Sequence, residues 1–84
     1  MLEIRVLGSG CANCKKLEQM VFNVCAQKNI DADIQKISDF KEFGKYGVIS
    51  TPGLVINGKA VSQGRIPTEA MIENWLMEAE KVQG

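Results

Sequence analysis

The sequence contains no histidine. Imidazole is therefore unavailable as a general base, as a metal ligand or as the partner that activates a cysteine nucleophile, and any thiol chemistry must work without it. Cysteine is scarce too. The three residues Cys11, Cys14 and Cys25 are too few and too unevenly spaced for the even-numbered disulfide framework of a small secreted domain. A reducing compartment fits better, and we expect a cytoplasmic protein. Net charge is absent, with ten Lys and Arg against ten Asp and Glu. With neither a basic stripe nor a polybasic tail, nucleic acid and anionic membrane drop out as partners. Long hydrophobic runs are missing as well. After Met1 the apolar Leu2, Ile4 and Val6 alternate with Glu3 and Arg5, which fits neither a signal peptide nor a membrane span.

What is present suits one small globular unit. Hydrophobic residues make up 45% and charged residues 24% of 84 residues, the balance of a soluble chain that folds alone, with a stability of about 4–13 kcal/mol for this size. No internal repeat or linker interrupts it, so residues 1–84 read as a single domain, and we expect a monomer.

Alternation from Leu2 to Leu7 predicts a strand, which Gly8-Ser9-Gly10 then breaks. From Cys11 onward Cys14, Leu17, Met20, Val21, Val24 and Cys25 recur at steps of three and four, the apolar stripe of a helix that reaches about Lys28 and stops at Asn29. Ala32, Ile34 and Ile37 open a second strand with imperfect alternation. Asp39 with Glu42 resembles a helix cap with its reciprocal partner, predicting a short helix through Phe40 and Phe43 to about Tyr46. Asn57-Gly58 between Gly53-Leu54-Val55-Ile56 and Lys59-Ala60-Val61-Ser62 is a strong hairpin signal. Thr68 caps a last helix whose apolar face is Ile72, Trp75, Leu76 and Ala79. A single-helix crossover makes the first two strands parallel and the Asn-Gly turn makes the last two antiparallel. The expected architecture is α/β, in the order βαβαββα, with a mixed four-stranded sheet and helices on both faces.

The chemistry sits in Cys11-Ala12-Asn13-Cys14, between the first strand and the long helix. Residues three apart at a helix start have Cβ atoms about 5–6 Å from each other, close enough for a small first-turn adjustment to close a disulfide. The two sulfurs differ in setting. Cys11 lies at the helix mouth beside unpaired backbone N–H groups, the positive end of the dipole, Lys15 and Lys16, all of which favour a thiolate below the free value of about 8.5. Cys14 begins the buried stripe. We therefore expect Cys11 to be the nucleophile and Cys14 to resolve the mixed disulfide. Cys25, about 16 Å further along the stripe at 1.5 Å per residue, reaches neither and reads as core. Metal binding is the alternative use of the pair. Two thiolates cannot complete a tetrahedral zinc site here, but they suffice for Cu(I). A vestigial pair in a regulatory or interaction domain is a third reading.

Taken together, Gly8-Ser9-Gly10-Cys11-Ala12-Asn13-Cys14 after a first strand, Thr51-Pro52 before a hairpin and Gly64 before the last helix resemble the thioredoxin superfamily, in particular its small, glutaredoxin-sized bacterial and archaeal members. The resemblance implies a thioredoxin-like fold and a thiol-disulfide oxidoreductase without a cofactor. Its partners would be a protein disulfide and a dithiol or reductase electron donor. It further implies a cis peptide bond before Pro52, which would face the cysteines, and a Thr51 backbone that pairs with an extended substrate. On that basis Ala12, Ile49, Thr51, Pro52 and Gly64 are expected to line a substrate groove around Cys11, with Gly64 admitting a partner backbone because it lacks a side chain. The chain departs from the best-known thioredoxins at Gly10, where they carry tryptophan, at Ala12-Asn13 in place of Gly-Pro, and at Arg5 in place of a buried aspartate. The Gly-Gly-x-Asp signature of glutaredoxins is also missing from Ser62-Gln63-Gly64-Arg65. A copper-chaperone domain similarly sets Cys-Ala-Asn-Cys between a first strand and helix, although Ser9 stands where its methionine would be, so a Cu(I)-binding module is the alternative function.

Overall fold

The computed structural model describes residues 1–10 and 12–83. Along the chain come β1 (Leu2–Leu7), α1 (Ala12–Gln27), β2 (Ala32–Ile37), α2 (Phe40–Phe43) running into a 3₁₀ turn (Gly44–Tyr46), β3 (Gly53–Ile56), β4 (Lys59–Gln63) and α3 (Glu69–Gln83). The four strands form one mixed sheet in the order β2-β1-β3-β4. β1 runs parallel to β2 and antiparallel to β3, and β3 is antiparallel to β4. This is the expected order and sheet.

Side-chain alternation divides the core between the two sheet faces. Leu2, Ile4 and Val6 of β1, with Leu54 and Ile56 of β3, meet Leu17, Val21, Val24 and Cys25 of α1 and Ile72 and Leu76 of α3. Leu7, one step out of phase, joins Val55 and Val48 on the opposite face under Phe43 and Tyr46. The imperfect alternation of β2 follows from this division. Ala32 and Ile34 pack on the first cluster whereas Ile37, opposite Leu7, packs on the second. Each leucine, isoleucine and valine among them contributes about 1.5–3 kcal/mol when fully removed from water, so the two faces together hold the sheet between its helices.

The turns place these elements by backbone bonding. At the end of α1, Asn29 adopts φ 55°, its N–H donates to the Ala26 carbonyl (3.4 Å), and the Ile30 N–H donates to that of Cys25 (2.9 Å). This left-handed cap turns the chain so that Ile30 packs back into the core. Gly47 ends the 3₁₀ turn in the same way at φ 76°, and the Val48 N–H donates to the Phe43 carbonyl (3.0 Å). Asn57 and Gly58 both take positive φ, as the tight hairpin turn requires. Asn57 also clamps the start of β1, donating its N–H to the Glu3 carbonyl (2.7 Å) and accepting the Glu3 N–H on Oδ1 (2.9 Å). The cap of α2 is only half of the expected pair. Asp39 Oδ1 accepts the Lys41 N–H at 3.0 Å, but the Glu42 carboxylate pairs with Lys45, a nearby cation being a stronger partner than a backbone amide.

Ser62 breaks the apolar pattern inside the sheet. It is 8% exposed, and its Oγ has no hydrogen-bond partner among the described residues. A hydroxyl buried without a partner costs free energy, so Ser62→Ala should leave stability unchanged or raise it by up to about 1 kcal/mol. Urea unfolding of the two proteins measures this, and a loss greater than that amount would mean that the hydroxyl is bonded in solution.

Candidate active site

The cysteine end of the molecule is built from the ends of three neighbouring strands. β1 stops at Leu7, and the Gly8 N–H donates to the Ile37 carbonyl (2.9 Å), carrying the ladder with β2 one step further. Gly10 at φ 87° turns the chain into α1. Cys14, in the first turn of α1, is buried and disulfide-bonded, whereas Cys25 is a buried free thiol. Cys11, the expected nucleophile, lies outside the described residues.

Gly8 is what makes room for Cys14. A Cβ on Gly8 would collide with Cys14 Sγ and lie 2.9 Å from Cys14 Cβ, so the sulfur occupies the space that any other residue at position 8 would fill. Because β1 and β3 pair with Leu7 opposite Gly53, the next step along the two strands brings Pro52 to the level of Gly8. Pro52 is buried, follows a cis peptide bond from Thr51 as the resemblance implied, and accepts the Gly64 N–H on its carbonyl at 3.1 Å. Gly8, Pro52 and Gly64 thus form a row across β1, β3 and β4.

The remaining expected groove residues surround that row. Ala12 is exposed at the start of α1 and Thr51 is exposed beside Pro52. Ile49 is 92% exposed, extreme for an isoleucine, while its neighbour Val48 fills the second core cluster. For Gly64 the structure supplies a reason other than partner approach. Its φ is 79°, and a Cβ there would press to 3.2 Å on Ser50 Cβ, so the backbone itself demands glycine. The sequence reading did not single out two residues at this end. Gly8 was legible only as a strand breaker. Gln63 gave no local signal at all, yet its Oε1 accepts the N–H groups of both Ile49 (2.8 Å) and Ser50 (3.3 Å).

Electrostatically, the first turn of α1 contains no acidic side chain, and Lys15 and Lys16 stand exposed just beyond it, leaving the positive end of the helix uncompensated. Arg5, at the position where the best-known thioredoxins carry a buried aspartate, is already engaged. Its guanidinium donates to the carbonyls of Asp33 (2.9 Å) and Ile4 (3.0 Å) and pairs with Asp33 Oδ2 at 3.4 Å, with only 14% of the side chain exposed. For Cys25, burial raises the thiol pKa above its ordinary value and the negative charge of Glu80 raises it further.

Two outcomes follow at this end. Gly8→Ala should destabilise the protein by about 1–3 kcal/mol through overpacking against Cys14, measured by denaturant unfolding of the oxidised protein. Stability equal to wild type would mean that Cys14 Sγ does not occupy this space. A raised pKa leaves Cys25 less thiolate at neutral pH, so it should alkylate more slowly in the folded protein than in denaturant. Its burial favours the neutral form, which is complete below the ordinary thiol range and is lost as pH rises above it, so the Cys25 contribution to stability should decline in that alkaline window. A Cys25→Ala variant losing stability with pH as steeply as wild type would contradict this.

Residues 2–77 match the family model described as "Thioredoxin domain". Thioredoxin from Methanothermobacter thermautotrophicus is 32% identical over 76 residues, spanning 90% of this chain and 99% of that protein. Thioredoxin from Methanocaldococcus jannaschii is 33% identical over 76 residues, 90% of this chain and 87% of its own. Among solved structures, the germline-specific thioredoxin Deadhead of Drosophila melanogaster superposes with a TM-score of 0.66 at 22% identity, over 92% of this chain and 79% of that one. Oxidised thioredoxin from Plasmodium falciparum gives 0.62 at 16% identity with the same coverage. The fold is thioredoxin-like, and the chain belongs to the thioredoxin family of disulfide oxidoreductases.

Proposed function

We propose that the protein reduces protein disulfides through a Cys11/Cys14 dithiol. The observation that carries this reading is the sheltered setting of the Cys14 sulfur in the space left by Gly8, one strand away from Pro52 and the exposed residue Thr51. A resolving thiol needs that shelter, because a second external disulfide must not reach it before the mixed disulfide has formed.

The Cys11 thiolate attacks one sulfur of the partner disulfide. An S–S bond forms between Cys11 and the partner, and the partner's other sulfur leaves as a thiolate that takes a proton. Cys14, giving up its proton, then attacks the Cys11 sulfur, and the second partner sulfur leaves and is protonated. The partner gains two electrons and two protons, and the Cys11–Cys14 pair is left as a disulfide. A dithiol or a reductase returns two electrons to it. No cofactor takes part in the exchange. The acid-free first turn of α1 with Lys15 and Lys16 favours thiolate at Cys11. Ala12, Ile49, Thr51, Pro52 and Gly64 form the rim on which an extended partner segment lies, with main-chain bonds to Thr51. A monomer in the reducing cytoplasm suits this role. Among the described residues no helix is long and apolar enough to cross a membrane.

Cys14→Ser should trap partners covalently through Cys11 in extracts of the native cell, releasable by reductant and absent from a Cys11→Ser control. Equal recovery from both variants would remove protein disulfides as substrates. In the reduced protein, iodoacetamide should modify Cys11 with an apparent pKa below about 8.5, the value of an unperturbed thiol. A titration midpoint at or above that value would show that helix and lysines do not act on it.

A further inference from the structure

Gln63 stands outside the expected groove, yet it makes the closest polar contacts to it. It is the last residue of β4, an edge strand, and its backbone pairs with Gly53. Its side chain turns back across the sheet end so that one carboxamide oxygen accepts two successive backbone donors, Ile49 N–H at 2.8 Å and Ser50 N–H at 3.3 Å. These contacts span 14 and 13 residues of chain, so they join the end of the hairpin to the segment that leads into Thr51-Pro52.

The segment is tied at nearly every point. The Val48 N–H goes to the Phe43 carbonyl, those of Ile49 and Ser50 go to Gln63, and the Pro52 carbonyl takes the Gly64 N–H. Among the described residues the Thr51 backbone has no hydrogen-bond partner, and Thr51 is exposed. An irregular loop at a strand end ordinarily leaves such donors to water and moves with them. Here a side chain takes two of them and leaves the adjacent residue open.

We propose that Gln63 is a positioning residue for partner binding: its carboxamide oxygen holds the Ile49 and Ser50 amides, so that the Thr51 backbone and the bare Ile49 side chain are presented in one arrangement to an incoming peptide segment. This rests on the disulfide-reductase reading above. The loop's ordering entropy is then met in the free protein and not at the moment of binding, which favours association with peptide backbone while leaving the exchange chemistry itself untouched. A small disulfide with no peptide backbone gains nothing from the brace.

The test compares wild type, Gln63→Leu, which removes the acceptor, and Gln63→Glu, which keeps an acceptor oxygen at the same reach. Each is assayed with dithiothreitol as donor on an extended peptide containing a disulfide and on bis(2-hydroxyethyl) disulfide. For Gln63→Leu we expect KM for the peptide to rise about tenfold, the equivalent of losing two modest hydrogen bonds, with kcat and the small-disulfide rate within twofold of wild type. Gln63→Glu should restore the peptide KM. Amide hydrogen exchange in the wild type supplies a check that needs no variant: Ile49 and Ser50 N–H should exchange more slowly than Thr51 N–H. Equal exchange at the three amides, an unchanged peptide KM in Gln63→Leu, or parallel losses on both substrates would overturn the positioning role. Wild type inactive on the peptide disulfide and on bis(2-hydroxyethyl) disulfide alike would instead overturn the reductase reading, and the positioning role with it.

Discussion

The antiparallel pairing of β1 with β3 is the constraint on which the cysteine end depends. With Val6 opposite Leu54 and Leu7 opposite Gly53, both strands direct matching residues to the same face, Val6 and Leu54 into the larger core and Leu7 towards the smaller one. A slip of one residue would turn the apolar set of β3 away from α1 and α3, so burial on two faces enforces this register. The same register carries Pro52 to Gly8, and the pairing of Gly53 with Gln63 carries Gly64 to Pro52. Three strand ends become level because their hydrophobic interiors are in phase.

Glycine at two of those ends serves different physical ends. Gly8 is needed for space, since Cys14 Sγ occupies the volume a side chain would take. Gly64 is needed for conformation, since its φ of 79° is unfavourable for residues bearing a Cβ. The consequence is a close approach of backbone to sulfur on one side of Pro52 and a sharp exit from β4 on the other. In the segment leading into Pro52, one glutamine side chain accepts the Ile49 and Ser50 N–H groups without adding a strand.

Cys14 and Cys25 share one helix face but not one environment. Cys14 abuts the end of β1 at the strand-end row. Cys25 lies near the other end of α1, where its carbonyl takes the Ile30 N–H and where burial and Glu80 keep its thiol protonated. One buried sulfur is therefore disulfide-bonded against a strand end and the other is a free thiol in the core. Both sulfurs are buried, and what differs is the neighbouring backbone at Cys14 and the nearby Glu80 charge at Cys25.

The sequence by itself determined the elements, because each rests on signals within a few residues of one another: the alternation of Leu2, Ile4 and Val6, the stripe from Cys14 to Cys25, the positive-φ pair Asn57-Gly58, and Thr68 Oγ1 accepting the Met71 N–H at 3.2 Å. Cys14 in the first turn of α1 was legible for the same reason, and the resemblance to thioredoxins pointed to the cis bond between Thr51 and Pro52. The half-formed cap at Asp39 shows the limit of that local reading, since Glu42 had an alternative partner in Lys45. What only the tertiary structure decided are contacts between residues far apart in the chain: Val48 inward and Ile49 outward, Gly8 as the space for Cys14, Gln63 across to Ile49 and Ser50. No local pattern encodes these, because which side chain meets which backbone group at a strand end is set by the register of the sheet, and the register is chosen by burial over the whole molecule.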